Sequence, residues 1–480
     1  MIIVKNKILR HAELVPSALQ FRLGSAKGVL VLDPNLTGKT LTLRPSQVKF
    51  DSENVRSLDI ITTSTKPIYC YINRPLIALL EHHEVPNESY LEFLFRNLSR
   101  ILDVELSEHS ILDSCVRYDL LTTAIAYASA YILRGIKHHA RIRIPGSYTL
   151  IGVSDEWGCL KEGETYATIF DPRTNERVAV EGRVLITRSP QIHPGEVQFA
   201  TAVRRPELKH LTNVVVFSCR GDRSLPSCLG GGDLDGDIYN IILVKSLHPP
   251  KAFTAETGAY KSLAPDIRQK PCGKAEVADL VNFVRPLFRS IGYICTLHLR
   301  ISDLKGLDCD ECLLLVEKAS HAVDYPKVGT PVSLASLPSP TDRHRRPDYL
   351  FGEGVSPNEG RGYYTSRKIF GILYRSVPVD EYHPCKDETG IIDHKLLDDL
   401  LRLHLYMADD LNVDPDEELL EEMRHVLDEY CQQLLSIAKA YTVSKGSAAR
   451  LSESELVCGC IIEWYIDHGK RMETTKSMNL

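Results

Sequence analysis

Apolar and polar positions divide the chain into four stretches of differing period. Residues 1–82 read mostly as short strands. GVLVLD (28–33) and KTLTLRP (39–45) are β-rich and punctuated by Pro34, Gly38 and Pro45. The period changes after Pro86. Leu91, Leu94, Phe95, Leu98, Ile101 and Leu102 recur at helical spacing, and Asn87 is placed to cap the helix they define. A second helix is predicted over much of 110–134, with Leu112, Cys115, Leu120, Ile125 and Ile132 among its apolar positions. From Arg141 to Val244 short strands return, in ARIRIP, YTLIGVSD, RVLITR, NVVVFS and DIYNIILV. Beyond Pro249-Pro250 the pattern is mainly helical to the end, interrupted at 330–362 by a loop rich in Pro, Ser and Arg. No repeat of 20–50 residues is visible. The layout β, α, β, α is that of an α+β chain with two β-rich units, the first cut short at residue 1.

Composition narrows the class. A chain of 480 residues, 43% hydrophobic and 25% charged, can bury cores for several domains and is neither collagen-like, disulfide-scaffolded nor wholly disordered. No apolar run approaches the roughly 20 residues of a membrane span. The opening MIIVKNKILRHAELVP is broken by Lys5, Lys7 and Arg10 and lacks a signal-peptide core. Thirteen scattered cysteines, an odd number, read as reduced thiols and place the chain in the nucleus or cytoplasm. The net charge of −6 would argue against a nucleic-acid partner, but its distribution does not. Residues 380–430 hold 17 Asp/Glu and 4 Lys/Arg, which leaves the remainder at +7 and compatible with a phosphate-rich ligand.

The sharpest chemical feature is GGGDLDGD (230–237), between the strand candidates Val214–Ser218 and Ile238–Val244. Asp233, Asp235 and Asp237 alternate, so in extended backbone they share one face. Gly236 permits a bend that folds them toward one point. Three converging carboxylates repel, and a hard divalent cation with oxygen ligands removes that conflict. Mg²⁺ is the usual choice where phosphates are handled. An EF-hand is excluded, because its sixth and twelfth positions would be Ile238 and Val244 rather than Gly and Glu. A polar hairpin tip is the bland alternative. Cys309 and Cys312 lack a convincing partner pair and are assigned no zinc. The acidic run 409–422 reads as a helix start with a solvated face.

The aspartate loop resembles the Asp-x-Asp-Gly-Asp signature of eukaryotic cellular RNA-dependent RNA polymerases, the enzymes of RNA silencing. Further matches keep the family's order: LQFRLGSAKGVLVLDP (19–34), LRPSQVKF (43–50), YINRPLIALL (71–80), LIGVSDEWGCLKEGE (150–164) and TRSPQIHPGEV (187–197) before the aspartates. AVDYPKVGTPV (322–332), PDYL (347–350), YTSRKIFGILYR (364–375) and SESELVCGCI (452–461) follow them. The resemblance implies two double-psi β-barrels, the first incomplete, with a helical insert and then a helical neck and head. On that reading 1–82 is the C-terminal part of the first barrel, 83–139 the connector, 140–248 the second barrel and 249–480 the neck and head. Family members carry several hundred residues before the first barrel, so the resemblance implies a C-terminal catalytic portion, whether as a fragment, a truncated gene model or a divergent short form.

The same resemblance assigns Asp233, Asp235 and Asp237 as catalytic Mg²⁺ ligands. It places Arg44, Lys49 and Arg74 opposite them, on nucleotide phosphates. Arg188, in RSPQIH, corresponds to an arginine that reaches toward the nucleotide's sugar, while His193 reads as structural. Arg220 and Arg223 are candidates for template or product phosphates, with a solvated loop as the equal alternative, and Lys327 for the RNA channel. The implied partners are an RNA template, NTPs, a double-stranded RNA product and silencing-pathway proteins, with no membrane. A DNA-templated polymerase subunit and a non-catalytic RNA-binding fragment are the rival readings.

Overall fold

The computed structural model describes residues 15–37, 40–49, 58–111, 129, 131–171, 175–250, 277–328, 331–338, 346–350 and 362–377. Most of the predicted 110–134 helix, the acidic run 409–422 and the match at 452–461 lie outside the described residues. The chain forms two compact units, one of residues 1–94 with 140–374 and one of 95–139 with 375–480.

In the first unit β1 (Ala18–Leu23), β2 (Ala26–Val31) and β3 (Leu58–Thr63) form an antiparallel sheet in the order β2-β1-β3. KTLTLRP, predicted as a strand, does not become one over its described residues. Residues 40–44 are irregular, and Pro45–Gln47 turn into a short 3-10 helix that leaves only an Ala26–Val48 bridge. Pro45 has no N–H to offer a ladder. Next come β4 (Ile68–Ile72), α1 (Arg74–His82) and α2 (Asn87–Ile111). Asn73 caps α1 by accepting the Leu76 N–H at 2.9 Å, with Pro75 in the first turn where no N–H is needed. On α2 the buried apolar residues include Tyr90, Phe93, Leu94 and Leu98. Phe95, expected among them, is exposed, one residue around the helix from the buried face.

The core of this unit is a closed barrel of β5 (Ile142–Ser154), β6 (Glu164–Asp171), β8 (Gly182–Thr187), β9 (Val197–Ala202), β10 (Val214–Phe217) and β11 (Ile238–Ile242), with β7 (Glu176–Ala179) as a flap on β6. The ring runs β5-β11-β8-β9-β6-β10 and closes because β10 pairs parallel to β5 and antiparallel to β6. Sequence patterning predicts ARIRIP and YTLIGVSD as separate strands; they are one. β5 passes Pro145-Gly146 where its pairing with β4 shifts register between Tyr69 and Tyr71. A bulge absorbs the proline's missing donor.

Period-2 alternation explains the packing. Leu150, Val215, Phe217, Tyr239 and Ile241 belong to one buried cluster. Their neighbours Ile151, Val214 and Val216 belong to another, which includes Ala18 and Val29 of the first sheet. NVVVFS therefore reads as an unbroken apolar run because both of its faces are covered. Each fully buried aliphatic side chain here contributes about 1.5–3 kcal/mol.

Helices α3 (Val277–Lys305) and α4 (Asp310–Val328) pack through Ile294, Leu297, Ile301, Leu315, Val316 and Ala319, with Ile192 from the turn after β8 in the same cluster. The short α5 (Ile369–Ser376) follows. Asp303 of α3 accepts hydroxyl donors from Tyr349 (3.1 Å), Tyr364 (2.7 Å) and Ser366 (2.6 Å), which ties the segments before α5 to α3. Among the described residues, no helix is long and apolar enough to cross a membrane.

Candidate active site

The loop between β10 and β11 carries the three aspartates, and one carboxylate oxygen of each lies within 4.8 Å of the others. Asp233 is exposed, and Asp235 and Asp237 are half-buried. Gly236 makes the bend at φ +135°, a region that L side chains avoid. Desolvation, then the neighbouring Asp235 and Asp237 carboxylates, push the Asp233 carboxyl above its ordinary range.

Among the described residues, Arg188 and Lys27 meet this charge. Arg188, just after β8, approaches Asp237 side-on: Nε lies 2.8 Å from Oδ2 and Nη2 donates to Oδ1 at 3.1 Å, while Nη1 donates to the Gly230 carbonyl at 3.1 Å. Such a bidentate fork fixes orientation as well as charge. Lys27, at the start of β2, places Nζ 2.9 Å from Asp235 Oδ2. Beside it Gln20 of β1 donates to the Asp235 carbonyl at 3.4 Å and lies against Gly236, where a Cβ would stand 2.0 Å from the amide nitrogen. The first sheet thus touches the aspartate loop directly. Three hard oxygen donors converging within 4.8 Å fit a divalent cation held by Asp233, Asp235 and Asp237.

Arg188 therefore reaches the aspartates. The other basic candidates make different contacts. Arg44 pairs with Glu156, Lys49 Nζ donates to the Ser46 carbonyl at 2.7 Å, and Arg220 donates to the Gly158 carbonyl at 2.8 Å. Arg223 donates to the Ser227 carbonyl at 2.9 Å. Lys327 lies near the C-terminal end of α4. Arg74 lines a small cavity of about 60 Å³ with Glu81, Ser302, Asp303, Tyr349 and Lys368, its guanidinium 5.4 Å from the Phe370 ring centre. Its buried Nε has no partner among the described residues.

Sequence reasoning missed Lys27 and Gln20. Both lie in LQFRLGSAKGVLVLDP, and the signal that was available is a lysine just past a tight turn between two strands. It missed Glu196 too, which is buried below the Arg188 turn. One Glu196 oxygen accepts the Ile192 and His193 N–H groups at 2.6 and 3.0 Å. Burial nevertheless pushes its carboxyl up to about 7, against those donors and Arg188. His193 accepts the Gly195 N–H at 2.9 Å, the structural role expected of it.

Comparison with known proteins agrees with this geometry. A family model described as RNA dependent RNA polymerase matches residues 2–377. The chain is 32% identical over 391 residues to RNA-dependent RNA polymerase 1 of Arabidopsis thaliana, covering 76% of this chain and 34% of that protein. It is 29% identical over 476 residues to a probable RNA-dependent RNA polymerase 1 of Oryza sativa subsp. japonica, covering 93% and 60%. Its fold is similar to that of RNA dependent RNA polymerase QDE-1 from Thielavia terrestris, with TM-score 0.59, 21% identity and coverage of 89% of this chain and 54% of that one. The chain thus spans about a third of the Arabidopsis relative's length and 60% of the rice relative's. With a double-psi-type barrel, a convergent aspartate loop and a family match over more than three-quarters of its length, this chain belongs to the RNA-dependent RNA polymerase family.

Proposed function

We propose that this chain is the catalytic portion of an RNA-templated RNA polymerase that makes double-stranded RNA for silencing in the nucleus or cytoplasm. The observation that carries the reading is the convergence of Asp233, Asp235 and Asp237 in one loop, faced by Lys27 from another sheet and by Arg188. In the reaction a 3′-oxygen bonds to the α-phosphorus of an NTP and the bond to the β-phosphate oxygen breaks, releasing pyrophosphate. Mg²⁺ held by the three aspartates would lower the pKa of the attacking hydroxyl, and a second Mg²⁺ brought with the NTP would offset charge on the pyrophosphate.

The chain's own residues do the rest. Lys27 is half exposed and its ion pair is exchangeable, so its ammonium can trade Asp235 for a triphosphate oxygen. Arg188 commits three N–H groups to Asp237 and Gly230, and a guanidinium has five. Two are left for a sugar hydroxyl, which supports its reading of the ribose 2′-OH. Arg44 and Lys49 make exposed contacts that a nucleotide's phosphates can replace, and Arg220 makes one that template or product phosphates can replace. The resemblance adds Lys327 and Arg74, of which Arg74 would meet a ligand only inside its cavity.

Extension assays on single-stranded RNA and DNA templates test the reading. RNA-templated synthesis that disappears in a folded Asp235→Ala variant is expected, as is eroded NTP over dNTP preference in Arg188→Ala. Wild-type synthesis by Asp235→Ala would end the reading, and DNA-only templating would favour a DNA-dependent subunit. RNA binding without synthesis would favour the fragment reading.

A further inference from the structure

The shape of the aspartate loop depends on a side chain outside the carboxylate set. Tyr239, the second residue of β11, is fully buried, and its ring edge meets Phe217 with centroids 4.8 Å apart. From there it reaches back under the loop that precedes it, and its hydroxyl donates to the Asp233 carbonyl at 2.8 Å. Glycine makes the path possible. A Cβ on Gly152 of β5 would stand 2.4 Å from the Tyr239 ring, and one on Gly232 would stand 2.7 Å from its hydroxyl. The Asp233 N–H, meanwhile, donates to Asp237 Oδ2 at 2.9 Å. Both backbone polar groups of Asp233 are therefore tied to the far end of its own loop, one through a carboxylate and one through a phenol.

We propose that Tyr239 is a positioning residue of the metal loop: its hydroxyl fixes the Asp233 peptide so that the three carboxylates converge. The inference rests on the metal-binding reading of the loop. A tyrosine that merely fills the core predicts something different. Its hydroxyl would then affect stability and leave metal affinity unchanged.

The test is Mn²⁺ binding to the full chain without nucleotide, followed by calorimetry, for wild type, Tyr239→Phe and Asp235→Ala. Removing one typical hydrogen bond corresponds to about a fivefold change in affinity. Tyr239→Phe is expected to weaken Mn²⁺ binding by at least about that factor, and to raise the Mg²⁺ needed for half-maximal RNA synthesis in parallel. Amide hydrogen exchange should quicken at 232–238 and stay unchanged in β6 and β9. Placing 4-aminophenylalanine at position 239, which keeps a donor at the ring's end, should restore affinity, and this second variant also serves if the phenylalanine variant folds poorly. Loss of Mn²⁺ in Asp235→Ala with wild-type affinity in Tyr239→Phe overturns the inference alone. Wild-type affinity in Asp235→Ala overturns the metal reading and the inference with it.

Discussion

Replacing Lys27 with methionine keeps most of the apolar stem and removes the ammonium from Asp235. The ion pair is partly exposed, at 47% and 33% for the two side chains, so its loss changes stability by no more than about 1 kcal/mol. The effect on a divalent cation is larger and opposite in sign. A cation bound about 2.1 Å from an Asp235 oxygen stands roughly 4.5 Å from an ammonium placed 2.9 Å from the same carboxylate. In a water-like dielectric a +1 and a +2 charge at that separation repel by about 1.8 kcal/mol. Screening at 0.1 M salt reduces this to about 1 kcal/mol, or roughly fivefold in affinity. Lys27→Met should therefore bind Mn²⁺ about fivefold more tightly than wild type without nucleotide. Its KM for NTP at saturating metal should rise, because a charged phosphate partner has gone. Calorimetry with Mn²⁺ and steady-state extension kinetics give the two numbers. Unchanged or weaker Mn²⁺ binding would refute the competition between Lys27 and the cation.

Three further outcomes are expected. Gly236→Ala combines φ +135° with a Cβ 2.0 Å from the Gln20 amide. It should cost about 1–3 kcal/mol in urea denaturation, and Gln20→Ala in the same chain should recover the clash but not the backbone strain. The Glu196 carboxyl is pushed up to about 7 by burial, so its stabilisation is complete below the unfolded value near 4.5 and is lost as pH rises through 7. The Tm difference between wild type and Glu196→Gln should accordingly move against wild type from pH 5 to pH 8. His298, pushed down to about 4 by burial, contributes the opposite slope in both proteins and cancels in the difference, so a pH-independent difference would count against this account. RNA affinity should fall linearly on a log–log plot against salt, with a slope of about −0.7 per neutralised phosphate, and Arg220→Ala should flatten it by about that amount. An unchanged slope would remove Arg220 from the RNA path.

The amino-acid sequence by itself determined the local facts. Alternating aspartates beside Gly236 belong on one face of a bend, and that is where they are. The apolar run NVVVFS reads as a strand, and Val214–Phe217 form one. These follow from side-chain period and φ restriction, which act within a few residues. The tertiary structure decided which elements cover which faces. Of Lys27, Lys49 and Arg44, Lys27 is the one carried to Asp235, because the turn after β1 is held against the aspartate loop, a contact that no local signal specifies. Gln20 and Asp235 meet although 215 residues separate them. KTLTLRP alternates as a strand should and over its described residues forms none, since a strand needs a neighbour to accept its hydrogen bonds and none is paired with it. Side-chain period fixes the face an element must bury. The partner that buries it is settled by closure of the barrel and the packing of the whole unit, a long-range property that no short window of sequence contains.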